Sequence, residues 1–332
     1  MAFSSLFLLN KQYDMLEKID PDLWEAIVND PYHKINYENL LIHNPAKIRK
    51  EEMNISLQTE PPLLPELLSV ENIYIPSSDH SENIRLRVYK PKGKEYLPVF
   101  LYFHGGAFIY GTPEQYDFLF FKLAIDSKAV IVSVDYRLAP EHPFPAGMKD
   151  GYDALLWLSD FADQVGGDKH FIMIGGSSAG ATIAASITHL ARDQGKTHIQ
   201  HQYLLYPPMS THLETPSMHE LANAPMQTRK AAEWMWKHYL QHSLTLPPLY
   251  SVPLLSKKFN DLPPATLIVC EADPLKDEGK EYAQHLKKAG VEVNLLEIKG
   301  AVHAFDFFPC PLSDAFYTKQ VELFNQILYP EQ

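Results

Sequence analysis

Hydrophobic residues follow three different rhythms along the chain, and each predicts a different kind of element. From Tyr13 to Val28 the apolar positions Tyr13, Leu16, Ile19, Leu23, Trp24 and Ile27 recur at helical spacing, with Asp20-Pro21 marking a break or a helix start. Polar, proline-bearing sequence continues through Pro61, Pro62 and Pro65. This leader lacks strand–helix alternation and is expected to lie as a cover on the main domain, outside its sheet. Beyond Val70 the rhythm changes. Ile73–Ile75 and Ile84–Tyr89 read as strands, the second alternating apolar and polar as a half-exposed antiparallel pair does. Pro98–Phe103 and Ala129–Val134 are near-continuous apolar runs, the pattern of strands buried on both faces. Further strands are predicted at Phe171–Ile174, Ile199–Tyr206, Ala265–Cys270 and Val291–Ile298. Helical stretches fall near Tyr116–Ser127, Met148–Gln164, Ala181–Arg192, Lys280–Ala289 and Ser313–Leu328. The alternation predicts an α/β protein with a mostly parallel, doubly wound sheet.

The third rhythm belongs to Pro207–Asp261, which has no buried strand pattern and carries Pro207-Pro208 and Pro247-Pro248. Met209, Met218, Met226, Trp234, Met235, Trp236, Tyr239 and Tyr250 lie within it, some on an amphipathic helix near Thr228–Leu240. Part of this apolar surface serves as satellite core. The remainder suits an inserted lid facing a substrate pocket, a use to which methionines and aromatics adapt well. The expected organisation is a cap segment over 1–65, a core over 66–206, an inserted lid over 207–260 and the rest of the core over 261–332.

Composition narrows the setting. At 332 residues the chain suits one large domain or two ordinary ones, and 45% hydrophobic with 21% charged residues is ordinary globular usage. The formal net charge of −12 argues against nucleic acid and anionic membrane surfaces as partners. Two cysteines, Cys270 and Cys310, make neither a disulfide framework nor a zinc site, so a reducing compartment is the simpler setting. The apolar run near the N-terminus is short and no basic residue precedes it. No uninterrupted stretch is long enough to span a bilayer. A cytoplasmic protein is expected.

The chemistry centres on Phe171–Ala181. An apolar strand runs into Gly175-Gly176-Ser177-Ser178-Ala179-Gly180 and out into an alanine-rich helix, the context in which Gly-x-Ser-x-Gly forms a nucleophile elbow. Gly176 and Gly180 flank Ser178 at the positions where side chains would collide across the turn. Ser177 offers a rival register, Gly175 to Ala179, but alanine brings a Cβ to it. Ser178 is therefore the expected nucleophile. A serine needs a base beside it, and the base a carboxylate to fix its tautomer. His303, after the strand Val291–Ile298, and Asp273, after Ala265–Cys270, sit at strand ends in the order Ser, Asp, His. Glu271, one residue past its strand, and Asp277, expected to begin or cap the next helix, are the alternatives to Asp273. Strand Pro98–Phe103 runs straight into His104-Gly105-Gly106-Ala107, where glycines let backbone amides approach a substrate oxygen. The amides of Gly105, Gly106 and Ala179 are the expected oxyanion hole.

These motifs, together with Asp135–Ala146, Asp273–Gly279 and His303–Phe305, resemble the hormone-sensitive-lipase-like carboxylesterases of the α/β-hydrolase superfamily. The resemblance runs from about residue 70 to the C-terminus. It implies an α/β-hydrolase fold under a helical cap built from the N-terminal segment and an insertion. It also implies a carboxylic ester hydrolase acting on short- to medium-chain acyl or aryl esters, with no cofactor and no metal. Arg137 and Glu141 would then be structural charges bracing the oxyanion loop. The expected partner is a small-molecule ester; a homodimer is an open alternative, and neither nucleic acid nor integral membrane association is expected. The chain departs from the family's usual elbow in having Ser177 for Asp and Ala181 for Gly, and its oxyanion loop has Ala107 where Gly is more usual. An amidase or peptidase would use the same triad, and a non-catalytic receptor on this scaffold would be expected to have lost part of it.

Overall fold

In the computed structural model, which describes residues 16–195 and 198–329, alternate residues of each buried strand face two different apolar layers. Val99, Leu101 and Phe103 point into one layer, and Phe100 and Tyr102 into the other. The same split separates Ile172 and Ile174 from Met173, and Leu267 from Ile268. Burial on both faces is why these strands are continuous apolar runs in the sequence.

Among the described residues the strands are β1 (Leu68–Pro76), β2 (Asn83–Pro91), β3 (Leu97–Phe103), β4 (Val130–Asp135), β5 (Gly167–Ser177), β6 (His201–Leu205), β7 (Ala265–Cys270) and β8 (Val293–Ile298). They form one sheet in the order β1-β2-β4-β3-β5-β6-β7-β8. β1 pairs antiparallel with β2, and β2 with β4; every later pairing is parallel. The α-helices are α1 (Pro21–Asn29), α2 (Tyr37–His43), α3 (Pro45–Ser56), α4 (Asp117–Asp126), α5 (Ala146–Phe161), α6 (Ala179–Gln194), α7 (Pro216–Glu220), α8 (Arg229–Leu240), α9 (Lys276–Lys288) and α10 (Pro311–Leu328). None is long and apolar enough to cross a membrane. This is the mostly parallel α/β sheet expected from the pattern of runs, in the α/β-hydrolase fold that the resemblance implies. Tyr13 and the short apolar run at the N-terminus lie outside the described residues.

The leader divides between the two sides of the sheet. Asp20 caps α1 by accepting the amides of Asp22 and Leu23, so the Asp20-Pro21 signal marks a helix start. Ile19, Leu23 and Ile27 join Phe305, Phe316 and Phe324 in the layer shared with α10. In contrast, Leu41 of α2 and Ile48 of α3 join the opposite layer, with Met235, Trp236 and Tyr239 of α8. Polar ties hold this second group: His238 Nε2 bonds the Leu41 carbonyl at 2.7 Å, and Thr228, which caps α8, bonds Glu38. The single cover expected over 1–65 is thus two pieces on opposite layers, because α1 presents its apolar stripe to the C-terminal helix.

Both cysteines are free and buried. Arg137 and Glu141 are structural charges. Arg137 forks onto the buried Asp150 and also reaches Asp79 and Ser81, while Glu141 is held by Arg49 of α3 at 2.6 and 2.7 Å.

Candidate active site

The elbow is built by a close meeting of backbones. Ser178 has φ 51° and ψ −125°, a conformation that costs a non-glycine residue about 1–3 kcal/mol and persists only where its surroundings enforce it. Its amide donates to the Leu205 carbonyl of β6 at 2.9 Å, which ties the turn to the neighbouring strand. A Cβ on Gly176 would lie 2.5 Å from the Gly180 carbonyl carbon and 2.5 Å from the Phe103 oxygen. A Cβ on Gly180 would lie 2.1 Å from that same oxygen. The two glycines therefore let the elbow close on itself and also press against the end of β3, where the His104 loop begins.

Ser178 Oγ lies 2.8 Å from His303 Nε2, and His303 Nδ1 lies 2.7 Å from Asp273 Oδ2. With the carboxylate ionised, Nδ1–H donates to it, and Nε2 is left to accept the serine proton. The second oxygen, Asp273 Oδ1, accepts the Leu275 amide at 2.9 Å, so the carboxylate cannot swing away. All three residues are buried, and the Tyr206 ring meets the His303 ring edge-on at 4.8 Å. The alternatives to Asp273 have other work. Glu271 accepts the Gly300 amide at 3.0 Å and bonds Lys299, steadying the loop that delivers His303. Asp277 lies in the first turn of α9 without capping it; its carboxylate accepts the Ser217 amide of α7 at 2.8 Å.

Ser177 is separated from this chemistry. Its Oγ points away from His303 to the Tyr116 hydroxyl, 2.6 Å away, and its residue is buried. Tyr116 Oη also accepts the Gly105 amide at 2.8 Å. That bond corrects the expected oxyanion set, because an amide committed to a buried phenol has no proton left for a substrate. Among the described residues, the amides of Gly106, Ala107 and Ala179 donate to no other group. Gly106, Ala107 and Ala179 are thus the amides beside Ser178 that keep a proton to offer. Ala179 is also the first residue of the sixteen-residue α6, whose N-terminus favours developing negative charge. The loop around these amides is braced from behind. Tyr136 Oη donates to the His104 carbonyl at 2.8 Å, and the Tyr136 ring stacks on His104 at 4.3 Å.

Helix α8 of the inserted segment packs on the same loop, with Phe108 stacked on Tyr239 at 3.8 Å and against Trp236 at 5.6 Å. A separate cavity of about 270 Å³ is lined by Trp236 with Thr211, Leu213, Glu233 and Leu244, and by none of Ser178, Asp273 and His303.

A family profile described as alpha/beta hydrolase fold matches residues 100–307, which hold the oxyanion loop, the elbow, Asp273 and His303. The chain belongs to that family. Carboxylesterase NlhH of Mycobacterium tuberculosis is 38% identical to this hydrolase over 254 residues, spanning 75% of this chain and 79% of the relative. An arylesterase of Saccharolobus solfataricus is 34% identical, over 66% of this chain and 72% of its own length. The solved structure of a bacterial heroin esterase matches the hydrolase with a TM-score of 0.87 at 30% identity, covering 94% of this chain and 99% of that one. The resemblance to hormone-sensitive-lipase-like carboxylesterases therefore holds.

Proposed function

We propose that this hydrolase is a serine carboxylesterase in which Ser178 attacks an ester carbonyl and forms an acyl-enzyme. That it is a carboxylic ester hydrolase follows from its family and relatives together. The reading adds the residues and the course of the reaction. His303 Nε2 takes the Ser178 proton as Oγ bonds the carbonyl carbon, and then gives that proton to the departing alcohol oxygen. A water molecule next loses a proton to His303 and attacks the acyl carbon, and His303 returns the proton to Ser178 as the acid leaves. Asp273 keeps the imidazole in the needed tautomer and stabilises the imidazolium. The amides of Gly106, Ala107 and Ala179 receive the oxyanion, where one donor is typically worth about 3 kcal/mol.

The observation that carries this reading is the unbroken hydrogen-bond chain from Asp273 through His303 to Ser178, at 2.7 and 2.8 Å. Substrates are short- to medium-chain acyl or aryl esters. Support comes from the arylesterase relative and from an ethyl acetate hydrolase of Pseudomonas putida, 33% identical over 62% of this chain. The cap over that substrate is the lid 207–260 together with α2 and α3 of the leader.

The deciding experiment compares aryl ester hydrolysis with that of the matched anilide, in the native protein and in Ser178→Ala. Ester turnover is expected to dominate and to vanish in the variant. An anilide preference would make the protein an amidase, and surviving ester turnover would remove Ser178 from the mechanism.

A further inference from the structure

The elbow and the oxyanion loop arise from neighbouring strands, β5 and β3, and nothing in the Ser178–His303–Asp273 chain fixes one against the other. A second hydrogen-bonded chain does. It runs on the buried side, from Ser177 Oγ to Tyr116 Oη at 2.6 Å and from Tyr116 Oη to the Gly105 amide at 2.8 Å. Ser177 is the residue before the nucleophile, and Gly105 is the residue before the two amides that face the substrate oxygen. Resting on the catalytic reading above, we propose that Tyr116 and Ser177 are positioning residues that hold the oxyanion loop in register with Ser178.

The geometry leaves this bridge little freedom. Tyr116 is buried, with its ring against Tyr102 at 5.2 Å, Phe120 at 5.5 Å and Phe307 at 4.8 Å, so the hydroxyl cannot swing to a new partner. A Cβ at Gly105 would come within 3.2 Å of both Ser177 Oγ and Tyr116 Oη, which shows how closely the loop is drawn against the pair. Burial pushes the Tyr116 phenol up to about 12, so it stays protonated and neutral at ordinary pH.

The bridge has a kinetic signature that a merely structural tyrosine lacks. The Gly106 and Ala107 amides act on the oxyanion of the transition state more than on the ester carbonyl, so misplacing them lowers kcat and leaves KM alone. The test uses Tyr116→Phe, which keeps the ring, with Ser177→Ala and the double variant. Each is assayed on an aryl butyrate and for inhibition by an alkyl boronic acid, whose adduct with serine places an oxygen where the oxyanion forms. Tyr116→Phe is expected to lose about ten- to a hundredfold in kcat with KM within about twofold, and boronate affinity is expected to weaken by the same factor. Ser177→Ala should lose less, and the double variant no more than Tyr116→Phe, since the two hydroxyls act as one unit.

Unchanged kcat in Tyr116→Phe overturns the proposal. So does a KM-only effect, or losses that multiply in the double variant. Should Tyr116→Phe fail to fold, the kcat and boronate response of Ser177→Ala decides by the same criteria. The Ser178→Ala control separates the two readings. If it is inactive while the bridge variants behave as native, only the bridge falls; if it remains active, the catalytic reading itself falls.

Discussion

Ser178 holds a backbone conformation that its own side chain disfavours, and the bonds around it explain why it stays there. The Leu205 carbonyl takes its amide, and His303 takes its hydroxyl. Ser178→Ala leaves this frame intact, so it should cut kcat by a thousandfold or more without lowering Tm. Asp273→Asn is a subtler change. The amide group still fits beside the Leu275 amide, but it can donate to His303 Nδ1 and hold the wrong tautomer; kcat on an aryl ester should fall about ten-thousandfold with KM little changed. The glycine frame alone already set Ser178, whose Oγ meets His303, apart from Ser177, whose Oγ meets Tyr116. The error at Gly105 had a different origin. Which amide is free depends on which neighbour has already spent it, and Tyr116 reads in sequence as one more aromatic at the start of an apolar helix. Tyr206, whose ring borders His303, is equally silent, since it closes an apolar strand run.

Elements were legible wherever burial gave them a continuous or periodic apolar signal. β3, β4, β6 and β7 fall within a few residues of the runs that predict them. β5 is eleven residues long, yet only Phe171–Ile174 announces it, because Asp168, Lys169 and His170 at its start and the glycines at its end carry no apolar signal. Likewise α9 begins at Lys276, beside the Asp277 expected to start or cap it, while its apolar pattern starts only near Lys280, since Lys276, Asp277, Glu278 and Gly279 make a first turn without an apolar side chain. Two predictions belong to this scale. Gly180→Ala forces a methyl group onto the Phe103 and His104 carbonyls, rigid backbone that cannot yield. It should cost about 1–3 kcal/mol in chemical denaturation and abolish most activity, because the strain falls between the elbow and the oxyanion loop. Arg137→Ala strands the Asp150 carboxylate, which is already pushed upward by burial, among α5 and its neighbours. The expected loss of about 3–5 kcal/mol is measurable by urea unfolding.

Across the whole molecule, buried titratable groups tie stability to pH, and two acids do so with one sign. Glu52 of α3 is buried between Tyr37 and Gln115, accepting from both, and burial raises its carboxyl to about 7. Burial likewise raises Asp306, bonded to the Tyr206 hydroxyl, to about 6. Between the ordinary carboxyl range and these values the native chain keeps protons that the unfolded chain releases. The contribution of Glu52 and Asp306 to stability should therefore fall as pH rises from about 4.5 to 7, by on the order of 3 kcal/mol for Glu52, while the buried imidazoles of His104, His189 and His201, pushed down by burial, act in the opposite direction. Thermal unfolding of the native protein and of Glu52→Gln across that window isolates the Glu52 share: the variant's stability relative to the native protein should rise with pH. The division of the leader between the sheet's two sides was not legible, because helical spacing gives a helix its stripe and says nothing about which layer receives it.

That division reaches the loop that carries His303. The Asp20 amide at the head of α1 donates to the Gly300 carbonyl at 2.9 Å, three residues before His303, while Ile19, Leu23 and Ile27 pack beside Phe305 just after it. The loop that delivers the imidazole is thus clasped by the front of the chain, almost three hundred residues away. A protease nick between Asn29 and Tyr32, or a bulky tag that pries the first helix loose, would disarm the enzyme from behind, with Ser178, its oxyanion loop and the lid all undisturbed.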